Sequence, residues 1–312
     1  MARAMSTHTY AEIDVAVDGG TLRAGIWEPV APAGEGATGP GTAGPVPTVL
    51  AVHGITATHR TWTYLADALP GIRVVAPDLR GRGRSNALPG PFGMARHADD
   101  LATLLGEVAA GPVVVVGHSM GGFVSVVLAH RHRDLVDALV LVDGGLPLDV
   151  PAGADPDELM RAVLGPAAAR LAMTFPDHEA YRDFWRAHPA FTGHVDERLG
   201  GYFDYDLEPA DGGWRPSSRI EAVTGDQREL VTGESLLPAL DALDAPAVFL
   251  RAPRGLLDGE PLYAAEHVAA WAERLRITTV EVTDVNHYTI VMGGAGAAAA
   301  AEQVRALLAV RT

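Results

Sequence analysis

Cysteine and lysine are both absent from this sequence, and each absence excludes a class of chemistry. Without cysteine, the chain has no disulfide, no thiol nucleophile and no cysteine-ligated metal. Without lysine, it cannot form a lysine Schiff base with a substrate or hold a phosphate through a P-loop lysine. All 24 basic residues are therefore arginines, and covalent catalysis through a side-chain amine or thiol is excluded.

Long apolar runs and an excess of positive charge are also missing. No stretch reaches the roughly 18 apolar residues of a membrane span, and Met1–Val15 lacks the apolar segment of a signal peptide. We therefore expect a cytoplasmic protein. The formal net charge of −15 repels nucleic acid and anionic membrane surfaces, so we expect neither as a partner. The sequence leaves a homodimer open.

Metal-binding and dinucleotide-binding motifs are not found either. The chain has no His-Glu-x-x-His, and His130 and His132 have no carboxylate partner at ligand spacing. The glycines of residues 81–85 lack the third glycine of a dinucleotide-binding loop. We therefore expect no metal and no cofactor.

Short apolar segments alternate with helix-like segments over the first half of the chain. A β-hairpin is predicted over residues 10–27, because two alternating segments flank a glycine turn. Further strands are predicted at 48–52, 72–76, 113–116 and 135–142, and helices at 61–68 and 95–109. Apolar strands separated by helices are typical of a mostly parallel central sheet flanked by helices. The sequence thus predicts an α/β fold.

This alternation stops after Asp143 and resumes near residue 247. Residues 150–237 are helix-like and rich in aromatic side chains, and we interpret them as an inserted helical cap. Strands at 247–250 and 277–282 and a final helix from about residue 295 complete the pattern. The predicted division is a first part of the core at 1–147, the cap at 148–238 and a second part of the core at 239–312.

The most informative motif follows the predicted strand at 113–116. Residues 117–122 read Gly-His-Ser-Met-Gly-Gly, which places Ser119 at the centre of Gly-x-Ser-x-Gly. A strand that ends in this pattern and turns into a helix predicts a nucleophile elbow. Side chains at Gly117 and Gly121 would collide where strand and helix approach each other. The hydroxyl would then lie at a helix N-terminus, where backbone N–H groups can face an oxyanion.

His287 is the preferred base for such a serine, which is a poor nucleophile without one. In an α/β sheet, functional side chains gather at the C-terminal ends of the strands, and His287 follows the last predicted strand. His53 also follows a strand, but we expect it to shape its own loop.

Five features, in this order, resemble the α/β-hydrolase fold superfamily. They are His53-Gly54, Asp-Leu-Arg-Gly-Arg-Gly-Arg-Ser at 78–85, Ala-Asp-Asp-Leu at 98–101, the elbow at Ser119, and His287. The resemblance spans residues 48–290 and is greatest to the capped branch of esterases, lactonases and carbon–carbon hydrolases. It implies Ser119 as the nucleophile and His287 as the base, with the backbone N–H groups of Ile55 and Met120 forming the oxyanion hole.

The triad acid departs from the family pattern. Such families place an aspartate within Gly-x-x-Asp after the strand that follows the cap, but Gly255 occupies that position here. The first carboxylate after it is Asp258, which we favour as the acid. Asp143, at the end of the strand before the cap, and Glu260 are the alternatives. Whichever it is, the acid must reach the imidazole, because it fixes the tautomer and stabilises the imidazolium.

The resemblance implies a serine hydrolase that cleaves a small, partly hydrophobic ester, thioester or lactone through an acyl-enzyme. A carbon–carbon bond hydrolase or a cofactor-free perhydrolase is an alternative that uses the same residues. A non-catalytic protein that binds a small ligand is a second alternative, disfavoured because a binder does not need the elbow. We expect Phe184 and Trp185 of the cap, together with His118, to bind the substrate in a mostly apolar pocket.

Overall fold

Most strands of the protein belong to one central sheet. The computed structural model describes residues 7–30, 46–149 and 169–310. The strands in these ranges are β1 (His8–Val17), β2 (Gly20–Pro29), β3 (Thr48–Val52), β4 (Arg73–Pro77), β5 (Val113–His118), β6 (Val136–Val142), β7 (Leu207–Ala210), β8 (Gly213–Pro216), β9 (Ala247–Arg251) and β10 (Thr278–Glu281). The α-helices are α1 (Thr63–Ala68), α2 (Met94–Val108), α3 (Met120–Arg131), α4 (His178–Arg186), α5 (Glu197–Tyr205), α6 (Ile220–Thr232), α7 (Leu236–Asp241), α8 (Ala265–Leu275) and α9 (Gly294–Ala309).

The central sheet has eight strands in the order β1-β2-β4-β3-β5-β6-β9-β10. The pairs β1–β2 and β2–β4 are antiparallel, and all other neighbours in this sheet are parallel. The predicted α/β fold with a mostly parallel sheet is therefore confirmed. Because the parallel strands run in one direction, their C-terminal ends lie along one edge, where α/β proteins carry their functional residues.

Two hydrophobic cores cover the two faces of this sheet. Side chains alternate along β5, so that Val113 and Val115 belong to one core and Val114 and Val116 to the other. These four side chains are at most 2% exposed, as expected for a strand buried on both faces. Helices α2 and α3 pack on the first core, and α1 and α9 pack on the second. The sheet is thus a rigid support for whatever its C-terminal edge carries.

The segment between β6 and β9 contributes no strand to the central sheet within its described part. It contains α4 to α7 and, in addition, an antiparallel hairpin formed by β7 and β8. The hairpin corrects the prediction that this segment is helical. Asp211 and Gly212 connect the two strands, and this dipeptide is a strong hairpin signal. Residues 150–168 of the predicted cap lie outside the described ranges.

None of the helices described is long and apolar enough to cross a membrane.

Candidate active site

Ser119 lies where β5 ends and α3 begins. Its backbone has φ +53° and ψ −126°, a conformation that is strained for a residue with a side chain. Its N–H donates to the carbonyl oxygen of Val142 at 3.0 Å, and its own carbonyl oxygen accepts from the Gly122 N–H at 2.9 Å. The Ser119 side chain is partly exposed although its neighbours in sequence are buried. This is the geometry of a sharp strand-to-helix turn that presents a hydroxyl.

Glycines permit this turn because other backbone atoms approach them closely. A Cβ atom on Gly121 would lie 2.0 Å from the carbonyl oxygen of Val52, and one on Gly117 would lie 2.4 Å from that of Gly121. A Cβ atom on Gly144 would lie 2.1 Å from the carbonyl oxygen of Ser119. No side chain fits at these distances. The glycines therefore let β3, β5 and the loop after β6 close around the serine.

His287 is held by Asp143. Its Nδ1 lies 2.7 Å from Asp143 Oδ2, and the two side chains are 4% and 0% exposed. Asp143 Oδ1 also accepts a hydrogen bond from the Ala252 N–H at 3.1 Å. A carboxylate at Nδ1 fixes the ring proton there, which leaves Nε2 of His287 free to accept a proton.

Asp258, the acid favoured from the sequence, does not contact His287 in this way. Its Oδ1 accepts hydrogen bonds from Arg254 Nε at 2.8 Å and from Asn286 Nδ2 at 2.9 Å, and its side chain is 39% exposed. Burial raises the pKa of Asp258, but the hydrogen bonds from Asn286 and Arg254 outweigh this effect and lower it. The alternative carboxylate, Asp143, therefore takes the place that we expected Asp258 to occupy.

The path of the chain after β6 and after β9 explains why Asp143, and not Asp258, contacts His287. Asp143 directly follows β6, and its N–H donates to the carbonyl oxygen of Leu250 in the neighbouring strand β9 at 2.8 Å. After β9 the chain turns, with the Gly255 N–H bonded to the Gly259 carbonyl oxygen at 3.0 Å. This turn directs Asp258 toward solvent, and Glu260 is exposed as well. Among the described residues, only the carboxylate at the end of β6 forms a hydrogen bond with the imidazole.

Ile55 and Met120, the two residues expected to form an oxyanion hole, line one cavity together with Ser119. Met120 is the first residue of α3, so its N–H has no acceptor within the helix. That N–H also lies at the positive end of the helix dipole. Both residues are buried.

The loop that carries Ile55 is fixed by His53. Nδ1 of His53 donates to the carbonyl oxygen of Gly54 at 2.7 Å, and its Nε2 accepts from the Leu79 N–H at 3.0 Å. Complete burial lowers the pKa of His53 to about 3, so the ring is neutral. His53 thus joins two loops at the sheet edge, which agrees with the structural role expected for it.

Two cavities share Ser119 and His287, together with Ile55 and Leu256, as lining residues. The first, called the polar chamber, is also lined by Gly54, Thr56, Ala57, His118, Arg170, Trp185, Tyr202, Tyr288 and Met292. The second, called the apolar chamber, is also lined by Met120, Phe123, Leu148, Leu230, Leu262 and Tyr263. The two chambers thus meet at Ser119 and His287, and the charged side chain of Arg170 belongs to the lining of the polar chamber.

Of the three residues predicted to bind substrate, two line a chamber and one does not. His118 and Trp185 line the polar chamber. Phe184 lines neither chamber, and its ring packs at 5.8 Å from that of Phe175 and 6.4 Å from that of Tyr181. The described contacts of Phe184 thus belong to the aromatic packing within the segment between β6 and β9.

Arg170 lines the polar chamber, although nothing in the sequence marks it as a site residue. Its side chain is completely buried, and its Nη2 donates to the carbonyl oxygen of Thr56 at 2.8 Å. Its guanidinium carbon lies 5.0 Å from the centre of the Trp185 ring. No pattern around it predicts burial, because arginine is the chain's only basic side chain apart from histidine and is usually exposed.

A family model described as alpha/beta hydrolase fold matches residues 47–291, which include Ser119, Asp143 and His287. The lipase LipV of Mycobacterium tuberculosis is 43% identical over 136 residues, which are 42% of this chain and 50% of that protein. The chain thus spans half the length of this relative. The 2-(acetamidomethylene)succinate hydrolase of Mesorhizobium japonicum is 29% identical over 255 residues, which are 78% of this chain and 82% of that protein.

Solved structures resemble the whole chain. The crystal structure of an E-2-(acetamidomethylene)succinate hydrolase has a TM-score of 0.71 at 22% identity and covers 97% of this chain and 98% of its own. A thioesterase domain from the curacin biosynthetic pathway has a TM-score of 0.71 at 22% identity and covers 96% of this chain and 99% of its own. At these identities the likeness shows the fold alone.

Proposed function

The chain belongs to the alpha/beta hydrolase fold family, and we propose that it is a serine hydrolase of small, partly hydrophobic esters, thioesters or lactones. The observation that carries the proposal is the Asp143–His287 pair, whose His287 lines the same two chambers as the strained Ser119. Relatives named as a lipase and as a hydrolase support the general class of reaction. The leucine, methionine and phenylalanine side chains of the apolar chamber support a hydrophobic part in the substrate.

In the proposed reaction, Ser119 Oγ attacks the substrate carbonyl while His287 Nε2 takes the hydroxyl proton. Asp143 holds the ring in the required tautomer and stabilises the imidazolium. The N–H groups of Met120 and Ile55 stabilise the negative oxygen of the tetrahedral intermediate. His287 then gives its proton to the leaving group, and a water molecule deprotonated by the same ring hydrolyses the acyl-enzyme.

We also propose residues 148–238 as a cap that determines substrate choice. Its helices contribute Trp185, Tyr202 and Leu230 to the chambers, whereas the proposed catalytic side chains lie on loops at the sheet edge. Aromatic side chains of this segment also pack on one another, as in the stacking of Trp185 on Phe203 at 5.4 Å. The cap therefore has its own packing and presents a small number of side chains to the substrate.

A fluorophosphonate probe tests the nucleophile. We expect one label per chain at Ser119, and we expect Ser119→Ala to lose the label and to lower kcat by about 10⁴- to 10⁶-fold. Ser125→Ala is the matched control, because Ser125 is buried in α3 with its Oγ bonded to the Gly121 carbonyl oxygen at 2.6 Å. Equal labelling of the wild type and Ser119→Ala would refute the assignment.

A panel of 4-nitrophenyl esters, run beside a diketone, distinguishes ester hydrolysis from carbon–carbon bond hydrolysis. We expect ester turnover with a burst of nitrophenol equal to the concentration of active protein, because the acyl-enzyme accumulates. Turnover of the diketone alone would favour the carbon–carbon hydrolase. A protein that reacts with the fluorophosphonate probe but turns over neither the esters nor the diketone would contradict the proposed ester activity.

A further inference from the structure

The polar chamber contains a buried cation whose N–H groups are only partly used. Arg170 is 0% exposed and lines this chamber together with Ser119 and His287. Within the described part of the chain, its Nε and Nη1 atoms have no hydrogen-bond partner. A buried charged donor without an acceptor is destabilising, because its lost hydration is not replaced. An acceptor brought by a ligand would remove this penalty.

The neighbours of Arg170 fix its position without using these atoms fully. Its Nη2 is bonded to Thr56, the residue after Ile55, and its guanidinium lies over the Trp185 ring. Its Nη1 lies 3.1 Å from Asp206 Oδ2 but lacks the alignment of a hydrogen bond. The guanidinium is therefore preorganised beside the loop of the proposed oxyanion hole.

Asp206, the nearest carboxylate to this guanidinium, has other hydrogen bonds. It accepts from the Tyr181 hydroxyl and, at 3.1 Å, from Ser217 Oγ. Complete burial raises the pKa of Asp206 despite the nearby arginine, which makes its negative charge easier to lose than that of an exposed aspartate. Asp206 thus lies beside Arg170 without accepting a hydrogen bond from its Nη1, which leaves that N–H group for another acceptor.

We propose that Arg170 binds a free carboxylate of the substrate, so that the compounds hydrolysed are acidic esters, thioesters or lactones. That they are hydrolysed rests on the proposed function. The planar guanidinium can pair with both oxygens of a carboxylate. Arginine is also the only permanently charged side chain among the described residues that line the two chambers. The uncharged part of the same substrate lies in the apolar chamber.

Two pairs of substrates test the proposal and show which side of the scissile bond carries the acid. Mono-4-nitrophenyl glutarate is compared with its methyl ester, and 4-acetoxybenzoate with methyl 4-acetoxybenzoate. In at least one pair, we expect kcat/KM to be about 10- to 100-fold higher for the acid, as for a hydrogen-bonded charge. Equal values within both pairs would overturn the proposal.

Substitutions assign the preference to Arg170. Arg170→Gln should remove the preference for the acid while the methyl esters keep at least a tenth of their kcat/KM. Asp206→Asn keeps the guanidinium and should keep or increase the preference. Arg182→Gln is the control, because Arg182 lies on α4 of the same segment but pairs at the surface with Asp204 and Glu179. A preference that persists in Arg170→Gln would overturn the assignment.

Binding to the Ser119→Ala variant separates this site from the reaction. Titration calorimetry should show that glutarate binds and that its diamide does not, and Arg170→Gln in the same background should abolish glutarate binding. Glutarate binding without ester turnover in the wild type would refute the hydrolase and leave the carboxylate site supported. Ester turnover without charge preference, together with no glutarate binding, would refute the site and leave the hydrolase. If Arg170→Gln does not fold, Arg170→Lys replaces it, with at least a tenfold loss of affinity expected because a lysine cannot pair with both oxygens.

Discussion

Replacing Asp143 with asparagine removes the charge beside His287 and keeps the shape of the side chain. The backbone of Asp143 has φ +46°, which asparagine adopts more readily than most residues with a side chain. The carboxamide oxygen can also still accept the hydrogen bond from the Ala252 N–H. We therefore expect Asp143→Asn to fold normally and to lose most of its activity.

Two effects of Asp143→Asn together determine the expected loss in kcat. Asp143 Oδ2 lies 2.7 Å from His287 Nδ1, so the imidazolium formed in the reaction lies beside a full negative charge. Two charges with centres about 4 Å apart interact by about 4 kcal/mol at an effective dielectric constant near 20. This energy corresponds to a factor of about 10³ in rate. The amide group of asparagine would also donate to Nδ1 and shift the ring proton to Nε2, which raises the expected loss in kcat to about 10⁴-fold.

The measurement is the initial rate of 4-nitrophenyl ester hydrolysis, with circular dichroism and urea unfolding to confirm the fold. Asp258→Asn is the control, because Asp258 is partly exposed and bonded to Arg254 and Asn286. Its kcat should stay within about threefold of the wild type, as for a surface change away from the site. A folded Asp143→Asn that retains a tenth of wild-type kcat, or a greater loss in Asp258→Asn, would refute the role given to Asp143.

Three further outcomes are expected. Gly121→Ala should lower the free energy of unfolding by about 1–3 kcal/mol, because its Cβ would lie 2.0 Å from the Val52 carbonyl oxygen; an unchanged urea midpoint would contradict this. Trp185→Ala should change KM and the ranking of ester substrates, whereas Phe184→Ala should change neither; equal effects in kinetic assays would contradict the chamber assignment. Unfolding measured against pH should reveal His53, whose pKa is about 3 when folded and near 6.5 when unfolded. Between these values the unfolded chain binds the extra proton, so acidification destabilises the fold by about 1.4 kcal/mol per pH unit from this residue. His53→Gln should reduce the slope by that amount, and parallel pH curves for the two proteins would show that another group is responsible.

The turn at Ser119, the proposed nucleophile, could be predicted because the pattern that marks it is local in sequence. The valines of β5, the glycines at 117 and 121 and the start of α3 all lie within 20 residues of Ser119. His287 could be placed by topology, because the residue after the last parallel strand must lie at the edge that Ser119 shares. These two predictions needed the order of the strands and no knowledge of any loop.

The acid could not be selected in the same way. Asp143 and Asp258 both follow strands, and those strands, β6 and β9, are neighbours in the sheet. The choice depends on the course of the chain after β9, where a turn at Gly255 moves Asp258 away from the ring. Such a turn depends on backbone hydrogen bonds that no residue pattern shows.

The β7–β8 hairpin could have been predicted from the sequence, whereas the burial of Arg170 could not. The β7–β8 hairpin has a readable signal at Asp211-Gly212, which was masked by the helical character of the segments around it. Arg170 has no such signal, because its burial results from the joint packing of Trp185, Asp206 and the loop at Thr56. A buried charge defined by three distant parts of the chain is visible only in three dimensions.

The position of the acid at the end of β6 affects how this protein can diverge or be redesigned. The loop between β9 and α8 holds no member of the proposed triad, yet its Leu256 lines both chambers. Changes in the length or composition of this loop after Ala252, whose N–H donates to Asp143 Oδ1, can therefore alter which substrates fit while the proposed proton relay stays in place. If the loop also supplied the acid, each such change would put turnover at risk. In nature or in a mutant library, substitutions in this part of the loop can thus be selected for a new substrate without changing a residue of the proposed triad.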